Sequence, residues 1–289
     1  MDLPSTAIID KVINDRYEVL EQVGHGIFGA VFKAWHRQME KEIAVKVLFQ
    51  QLDQEDRGFQ RFHREAQAIS ALMHPHIVKV YDFGVSTQGR PYMVMDYVEG
   101  HNLRDILKTK NWLPQDRAIF IFAQIVDALG HMHDSGFLHR DIKPDNIIVH
   151  DTTYQKDFAT LVDFGIAKRL NEPREKRLTV DGTVVGTPAY MSPEQIMGNE
   201  IDNRSDIYSF GVLMYVTLTG ILPVQGKNPV DTMTKHVTEM PLDMELANPA
   251  VKIPPELKAV VKKSMAKSPE DRQQSMAELH KELKDCLKK

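Results

Sequence analysis

The hydrophobic period changes once along this chain, and that switch limits what it can fold into. Residues 17–49 alternate apolar and polar side chains. YEVLEQVGHGIFGAVFKAWH reads as two strands around a glycine-rich turn, and EIAVKVLF as a third strand rich in β-branched residues. Over 53–73 the period becomes helical, with Phe59, Phe62, Ala66, Ile69 and Met73 three or four apart on one face, until His74-Pro75 ends it. IVKVYDFG and PYMVMDYV add two strands separated by the turn STQGR. After Gly100 helices dominate. Pro114 opens a segment with Ile119, Phe122, Ala123, Val126 and Leu129 on one face, closing near Gly136. Short strand-like pieces follow (FLH, IIV, TLVDFG), and helical segments fill the rest to Lys289. The pattern predicts an α+β chain: a small antiparallel sheet with one helix, joined to a larger helical part. A cleft between two such lobes is a natural ligand site.

Composition narrows the class. At 289 residues, 42% hydrophobic and 26% charged, the chain is long enough to bury a large core and is neither disordered nor low in complexity. A formal net charge of -4 carries no signature of a nucleic-acid or membrane-surface binder. The lone Cys286 cannot form an internal disulfide and suits a reducing, cytoplasmic compartment. Met1-Asp-Leu-Pro-Ser-Thr has neither the basic nor the apolar region of a signal peptide. Ile207 to Val224 is uncharged and long enough to suggest a membrane span. Its Tyr, Ser, Thr, Gly and Pro residues, with Arg204 and Asp206 just ahead, predict instead a helix buried on all sides in the larger part.

Three stretches carry chemistry. Gly24-His25-Gly26-Ile27-Phe28-Gly29 is a G-x-G-x-x-G, a pattern shared with dinucleotide-binding turns, which need a helix after them. Here Ala30-Val31-Phe32-Lys33-Ala34-Trp35 reads as a strand, so the segment is a hairpin, either merely flexible or folded over a nucleotide's phosphates. Lys46 lies within the apolar strand Ile43-Ala44-Val45-Lys46; pointing inward it needs an anionic partner, and Glu65 on the following helix is the candidate. His139-Arg140-Asp141-Ile142-Lys143-Pro144-Asp145-Asn146 places a carboxylate, a cation two residues on and a carboxamide five residues on in one loop. That set supplies a base for an incoming hydroxyl, a cation for a transferring phosphate and a metal ligand. Asp163-Phe164-Gly165 follows, its carboxylate suited to a hard divalent ion. Asp82-Phe83-Gly84 repeats the triplet on a strand ahead of that loop, and there it reads as structural.

The ordered set Gly24–Val31, Ala44-Val45-Lys46, Glu65, HRDIKPDN, DFG and GTPAYMSPE resembles the eukaryotic-type protein kinase family, from about Tyr17 to the C-terminus. Lys143 after the aspartate, with Thr187 in GTPAY, is similar to the serine/threonine branch. YVEGHNLRDIL, MSPEQ and SPEDRQQSMAEL are similar to bacterial Hanks-type kinases of the PASTA type, which often continue into a transmembrane segment. The resemblance implies a bilobal kinase domain over 17–287 (N-lobe 17–95, hinge 96–100, C-lobe 101–287) after an N-terminal extension, 1–16. It implies ATP, with Mg²⁺ or alternatively Mn²⁺, and protein substrates.

By the same resemblance Asp141 is the catalytic carboxylate, Lys143 neutralises charge on the γ-phosphoryl group, and Asn146 and Asp163 hold the metal. Lys46, paired with Glu65, contacts the α/β-phosphates under the loop formed by Gly24, His25, Gly26, Ile27, Phe28, Gly29 and Ala30. Val23, Val31, Ala44, Ile148 and Val162 sandwich the adenine beside the gatekeeper Met95, and the Asp96 carbonyl and Val98 backbone bond to the base. His139, Phe164, Ile69 and Val80 match an apolar column, Asp206 an anchor of the catalytic loop, and Glu194 with Arg272 a scaffold ion pair. Thr179 or Thr183 is the expected autophosphorylation site, near Arg140 and Lys168, with Asp181 supplying part of the charge permanently. Arg16, Met39 and Asp82 match a back-to-back homodimer contact; the alternative is three unrelated surface residues. Two departures stand out: Ser192-Pro193-Glu194 replaces Ala-Pro-Glu, and HDTTYQKD lengthens the stretch between Asn146 and Asp163, enlarging a surface hairpin. A pseudokinase scaffold and a small-molecule phosphotransferase are the competing classes. The intact Lys46, Glu65, Asp141, Asn146 and Asp163 weigh against the first, and GTPAYMSPE against the second.

Overall fold

Alternation sends successive side chains to opposite faces of a strand, and the first hundred residues use it to build a six-stranded antiparallel sheet. A computed structural model of the chain describes residues 11–51, 57–165, 179–180, 183–184 and 188–287. The strands are β1 (Val12–Ile13), β2 (Tyr17–His25), β3 (Gly29–His36), β4 (Lys41–Leu48), β5 (Val80–Val85) and β6 (Pro91–Asp96), in the order β1-β2-β3-β4-β6-β5. Cross-strand partners share a face, so the register sorts the residues. Phe32, Val45 and Val94 lie in one row, and with Ala34, Ile43, Val47 and Tyr92 they form a buried core on one side. Val31, Lys46 and Met93 form a row on the other side, beside Lys33, Ala44 and Met95.

β1 escapes the periodicity argument because two residues carry no period. It pairs Val12 with Glu18 and Ile13 with Tyr17 through a turn in which Asn14 and Asp15 have φ 48° and 55°. Helix α1 (Arg57–Ser70) packs on β5, with the Phe62 and Phe83 rings edge to face at 6.3 Å. The helix is shorter than its spacing predicts: Met73 lies beyond its end and is 77% exposed.

The chain divides into two compact units, one holding the described residues up to Val98 together with Gly165, the other Glu99–Phe164 and the described residues from Thr179 onward. In the second unit, β7 (His101–Asn102), β8 (Ile147–His150) and β9 (Phe158–Leu161) form a small sheet. Its helices are α2 (Leu103–Lys110), α3 (Gln115–Asp134), α4 (Pro193–Met197), α5 (Asn203–Thr219), α6 (Pro229–Thr238), α7 (Met244–Ala247), α8 (Pro255–Ser264) and α9 (Met276–Cys286). A two-residue pairing joins β10 (Thr179–Val180) to β11 (Thr183–Val184). Pro114 sits at the N-cap of α3. α5 is the all-round buried helix, but it stops at Thr219, where Gly220 at φ 74° caps it, so Ile221–Val224 leave the helix. FLH is not a strand, since the Phe137 N–H bonds to Met132 O and the His139 N–H to the Asp206 side chain. β9 likewise ends at Leu161, ahead of Asp163. The enlarged hairpin is braced from α3: Gln124 Nε2 donates to Asp157 O, its Oε1 accepts from Ala159 N, and Arg117 pairs with Asp157 at 2.7 Å.

Candidate functional site

The loop between α3 and β8 gathers a cluster of polar groups in the second unit. Asp206, on the first turn of α5 and 1% exposed, accepts hydrogen bonds from His139 N at 2.8 Å, Arg140 N at 2.9 Å and the His133 ring at 2.9 Å. Burial opposes its charge, but the His133 contact, the nearby His139 and the Arg140 N–H outweigh that and hold the carboxyl below the usual range. Anchored there, Arg140 takes φ 62°, a left-handed conformation an arginine rarely adopts. His139 accepts the Asp141 N–H at its Nδ1, 3.3 Å away, and its ring lies 6.3 Å from that of Phe164.

The chain then presents its working groups. Lys143 Nζ lies 2.9 Å from Asp141 Oδ2. Asn146, 4% exposed, donates its amide to Asp141 O at 2.7 Å and to Asp141 Oδ2 at 3.2 Å, which leaves the carboxamide oxygen directed away from that pair. Burial alone would lower the Lys143 pKa. The Asp141 carboxylate, with Asp163 and Asp145 beyond it, reverses the sign and holds it above the ordinary lysine value. Val162 N–H bonds to Asn146 O at 2.8 Å, tying the loop to the stretch carrying Asp163, itself at φ 69°. Ile148 on β8 and Val162 after β9 are both half-buried. Asp145 pairs with Arg104 of α2 at 2.6 Å. Glu194 and Arg272 form the expected buried ion pair, with nitrogen–oxygen distances of 2.8 and 2.9 Å.

In the first unit, the face opposite the core carries Val31, Ala44, Lys46 and Met95, which the register brings side by side. Lys46 and Glu65 are both half-buried, on β4 and α1. Val23, Gly24 and His25 end β2, Gly26, Ile27 and Phe28 form the turn, and Gly29 and Ala30 begin β3. Val23 is 45% exposed and Ile27 65%. The glycines differ in kind. A Cβ on Gly29 would meet Val47 O at 2.3 Å, so the sheet itself requires glycine there. Gly26 has only Gly29 O, at 3.7 Å, near its missing Cβ, and its φ is not positive, so neither packing nor conformation demands it. Asp96 ends β6 with its Oδ1 accepting from Lys41 Nζ at 2.9 Å and Tyr81 Oη at 2.6 Å, and Val98 follows, half-buried.

Other expectations fare differently. Asp82 is structural, as read: it accepts from Tyr17 Oη at 2.5 Å and from Phe83 N at 2.9 Å. Lys168, Asp181 and Thr187 lie outside the described residues. His133 was missed; it is one of the 12 histidines of the sequence, and its place on α3 carries no local signal of a partner on α5. Among the described residues, no group of three or more His, Cys, Asp or Glu forms a metal cage, and no helix is long and apolar enough to cross a membrane.

Comparison with known proteins gives one answer. The family model for the protein kinase domain matches residues 17–283. Serine/threonine-protein kinase pkn3 of Myxococcus xanthus is 38% identical over 95% of this chain, and PknB of Mycobacterium leprae 40% over 94%. The chain spans 50% and 43% of the lengths of those two relatives. The crystal structure of the Mycobacterium tuberculosis PknI kinase domain superposes with a TM-score of 0.72 at 25% identity, covering 99% of this chain and all of that one. Rad53 in complex with AMP-PNP superposes at 0.75 with 28% identity, covering 92% of this chain and 64% of that one.

Proposed function

The chain belongs to the protein kinase family, and from that premise we propose that it is an ATP-dependent serine/threonine kinase acting on proteins, its own activation segment included. The observation that carries this reading is the joint hold of Lys143 and Asn146 on Asp141, at 2.9 and 3.2 Å, in a loop anchored by Asp206. In this reading Asp141 orients the acceptor hydroxyl. Its oxygen attacks the γ-phosphorus, the bond to the β–γ bridging oxygen breaks, ADP leaves, and the hydroxyl proton passes to Asp141. Lys143, kept cationic by its carboxylate neighbours, offsets the charge spread over the transferring group.

The donor set fits a magnesium ion. Mg²⁺ usually takes one or two protein oxygens and completes its shell with phosphates and water, so no protein cage is needed. The turned-out oxygen of Asn146 and the Asp163 carboxylate are the oxygens that would hold it, and when bound it offsets the charge of the triphosphate. In the first unit Val23, Val31, Ala44 and Met95 would contact the adenine, Lys46 with Glu65 would hold the α/β-phosphates, and Gly26, unneeded by the sheet, would admit the phosphates to the backbone; in the second unit Ile148 and Val162 would contact the base.

The kinase domain in this reading runs over 17–287, acts in the cytoplasm, and autophosphorylates at Thr179 or Thr183, on β10 and β11. A back-to-back pairing through Arg16, Met39 and Asp82 has Met39, 49% exposed, in its favour. It must share an Asp82 carboxylate already engaged by Tyr17 and Phe83, and sedimentation of the wild-type chain tests it. The test of function is incorporation of label from radiolabelled ATP and Mg²⁺ into a generic protein substrate. Phosphoserine or phosphothreonine is the expected product, and no incorporation above an Asp141→Asn control would overturn the reading.

A further inference from the structure

α6 carries a histidine that the proposed chemistry does not use. His236 is 0% exposed. Burial pushes its pKa down to about 4, the Lys267 ammonium acts in the same sense, and the Ala189 backbone acts against both, so the ring is neutral near pH 7. A neutral imidazole has one donor and one acceptor nitrogen, and its neighbours decide which is which. The Lys267 ammonium can only donate: it gives hydrogen bonds to His236 O at 2.7 Å and to Tyr208 Oη at 3.3 Å. The Tyr208 hydroxyl then has its own proton to give, and it lies 2.9 Å from His236 Nδ1. Of the two acceptors within reach of that proton, Nδ1 at 2.9 Å is nearer than His236 O at 3.5 Å, which favours Nδ1 as the acceptor and the ring proton on Nε2.

That Nε2 is sealed from solvent and, among the described residues, makes no hydrogen bond of ordinary geometry. Among the described residues the backbone of Ala189 also bears on the ring, in the turn Pro188–Tyr190 against which α6 packs. A phenylalanine or leucine would fill the same space without the cost of burying an underused donor. We propose that His236 is a positioning residue for the acceptor protein. Its Nε2–H, set in that tautomer by the Lys267–Tyr208 relay, bonds the Ala189 carbonyl when the turn Pro188–Tyr190 receives the acceptor. This rests on the kinase reading above, in which GTPAYMSPE is the platform for the protein substrate.

The test compares the wild-type chain with His236→Phe, His236→Gln and Tyr208→Phe, after thermal unfolding has established that each is folded. Glutamine carries an amide N–H near the Nε2 position, whereas phenylalanine fills the space and donates nothing. The acceptor-peptide KM is expected to rise about fivefold in His236→Phe and Tyr208→Phe, the scale of one lost hydrogen bond, with kcat and the ATP KM unchanged. His236→Gln is expected to stay within about twofold of wild type. An unchanged peptide KM, a kcat that falls in step with it, or a glutamine variant no better than phenylalanine overturns the proposal. If His236→Phe does not fold, Tyr208→Phe, which lacks one oxygen only, carries the same comparison. Nitrogen NMR of the wild-type ring reads the tautomer without turnover: protonation at Nε2 supports the relay and protonation at Nδ1 overturns it. A wild-type chain that phosphorylates no peptide or protein, yet shows the Nε2 proton, sinks the kinase reading and leaves the relay standing.

Discussion

Asp206 Oδ1 lies 2.9 Å from the backbone nitrogen of Arg140, and Arg140 is held there at φ 62°. A non-glycine residue in that region costs about 1–3 kcal/mol, which the surrounding structure must offset. The three hydrogen bonds to Asp206 are the visible source of that offset. Asparagine at this position has one acceptor oxygen and turns an N–H toward donors. Asp206→Asn is expected to lower kcat about a hundredfold, by displacing Asp141. It is also expected to cost about 3 kcal/mol of stability. Steady-state kinetics and denaturant titration read the two effects, and a wild-type kcat would show that the anchor does not set the loop.

Asp141→Asn keeps the shape of the side chain and removes its charge. The Lys143 ion pair is lost, but the loop keeps its bonds to Asp206. Phosphoryl transfer is expected to fall about a thousandfold with ATP binding retained. Calorimetry of nucleotide binding beside a transfer assay checks this; wild-type turnover with bound ATP would contradict the role given to Asp141.

Glycine positions that look alike in the sequence are expected to respond differently. Gly29→Ala drives a methyl against Val47 O and is expected to cost about 2 kcal/mol of stability. Gly26→Ala is expected to change stability by less than about 0.5 kcal/mol and to raise the ATP KM. Chemical denaturation and ATP titration of the two variants separate them.

Arg272 is 2% exposed and donates to both Glu194 oxygens and to the carbonyls of Arg204, Ala266 and Lys267. Removing one partner strands the other, so Glu194→Gln is expected to cost about 3–5 kcal/mol. A lysine ammonium cannot reproduce the planar fork, so Arg272→Lys is expected to destabilise by a comparable amount. Unfolding midpoints of the two variants are the measurement.

Folding stability is expected to fall as the pH drops from about 6.5 toward 4. His236 has its pKa lowered from 6.5 to about 4 in the folded chain, so the unfolded chain takes up the proton first. The contribution is whole above 6.5 and is lost as the pH falls toward 4, by up to about 3 kcal/mol. His236→Gln should remove this component, which denaturant titrations across that range would reveal as a flatter pH dependence.

Much of the candidate site could be read from the sequence because its members are near neighbours in the chain. Asp141, Lys143 and Asn146 lie within six residues, so any loop conformation keeps them close, and the observed hydrogen bonds refine a proximity already given. In the sheet, alternation sorts the residues within each strand, and the observed register then brings Val31, Ala44, Lys46 and Met95 to one face. What could not be read includes His133 on Asp206, Arg104 on Asp145, and Tyr17 on Asp82. Each joins residues 41 to 73 positions apart, and a polar residue on a helix or strand looks the same whether its partner is another side chain or water. Asp82-Phe83-Gly84 and Asp163-Phe164-Gly165 show the limit. The triplets are identical, yet one completes a half-buried network with Tyr17 and the other begins where β9 has ended.

By itself the sequence determined the α+β class, the longer strands and helices in their order, and the local set of groups around Asp141, because backbone period and chain adjacency are properties of a few consecutive residues. Only the tertiary structure decided that Asp206 is buried and charged, that Arg140 is left-handed, that Gly29 serves the sheet while Gly26 does not, and that His236 is buried with its Nδ1 beside the Tyr208 hydroxyl. Those outcomes depend on which donors and how much solvent reach a group once distant segments have packed, and desolvation and hydrogen-bond geometry at that point have no counterpart in the linear order of residues.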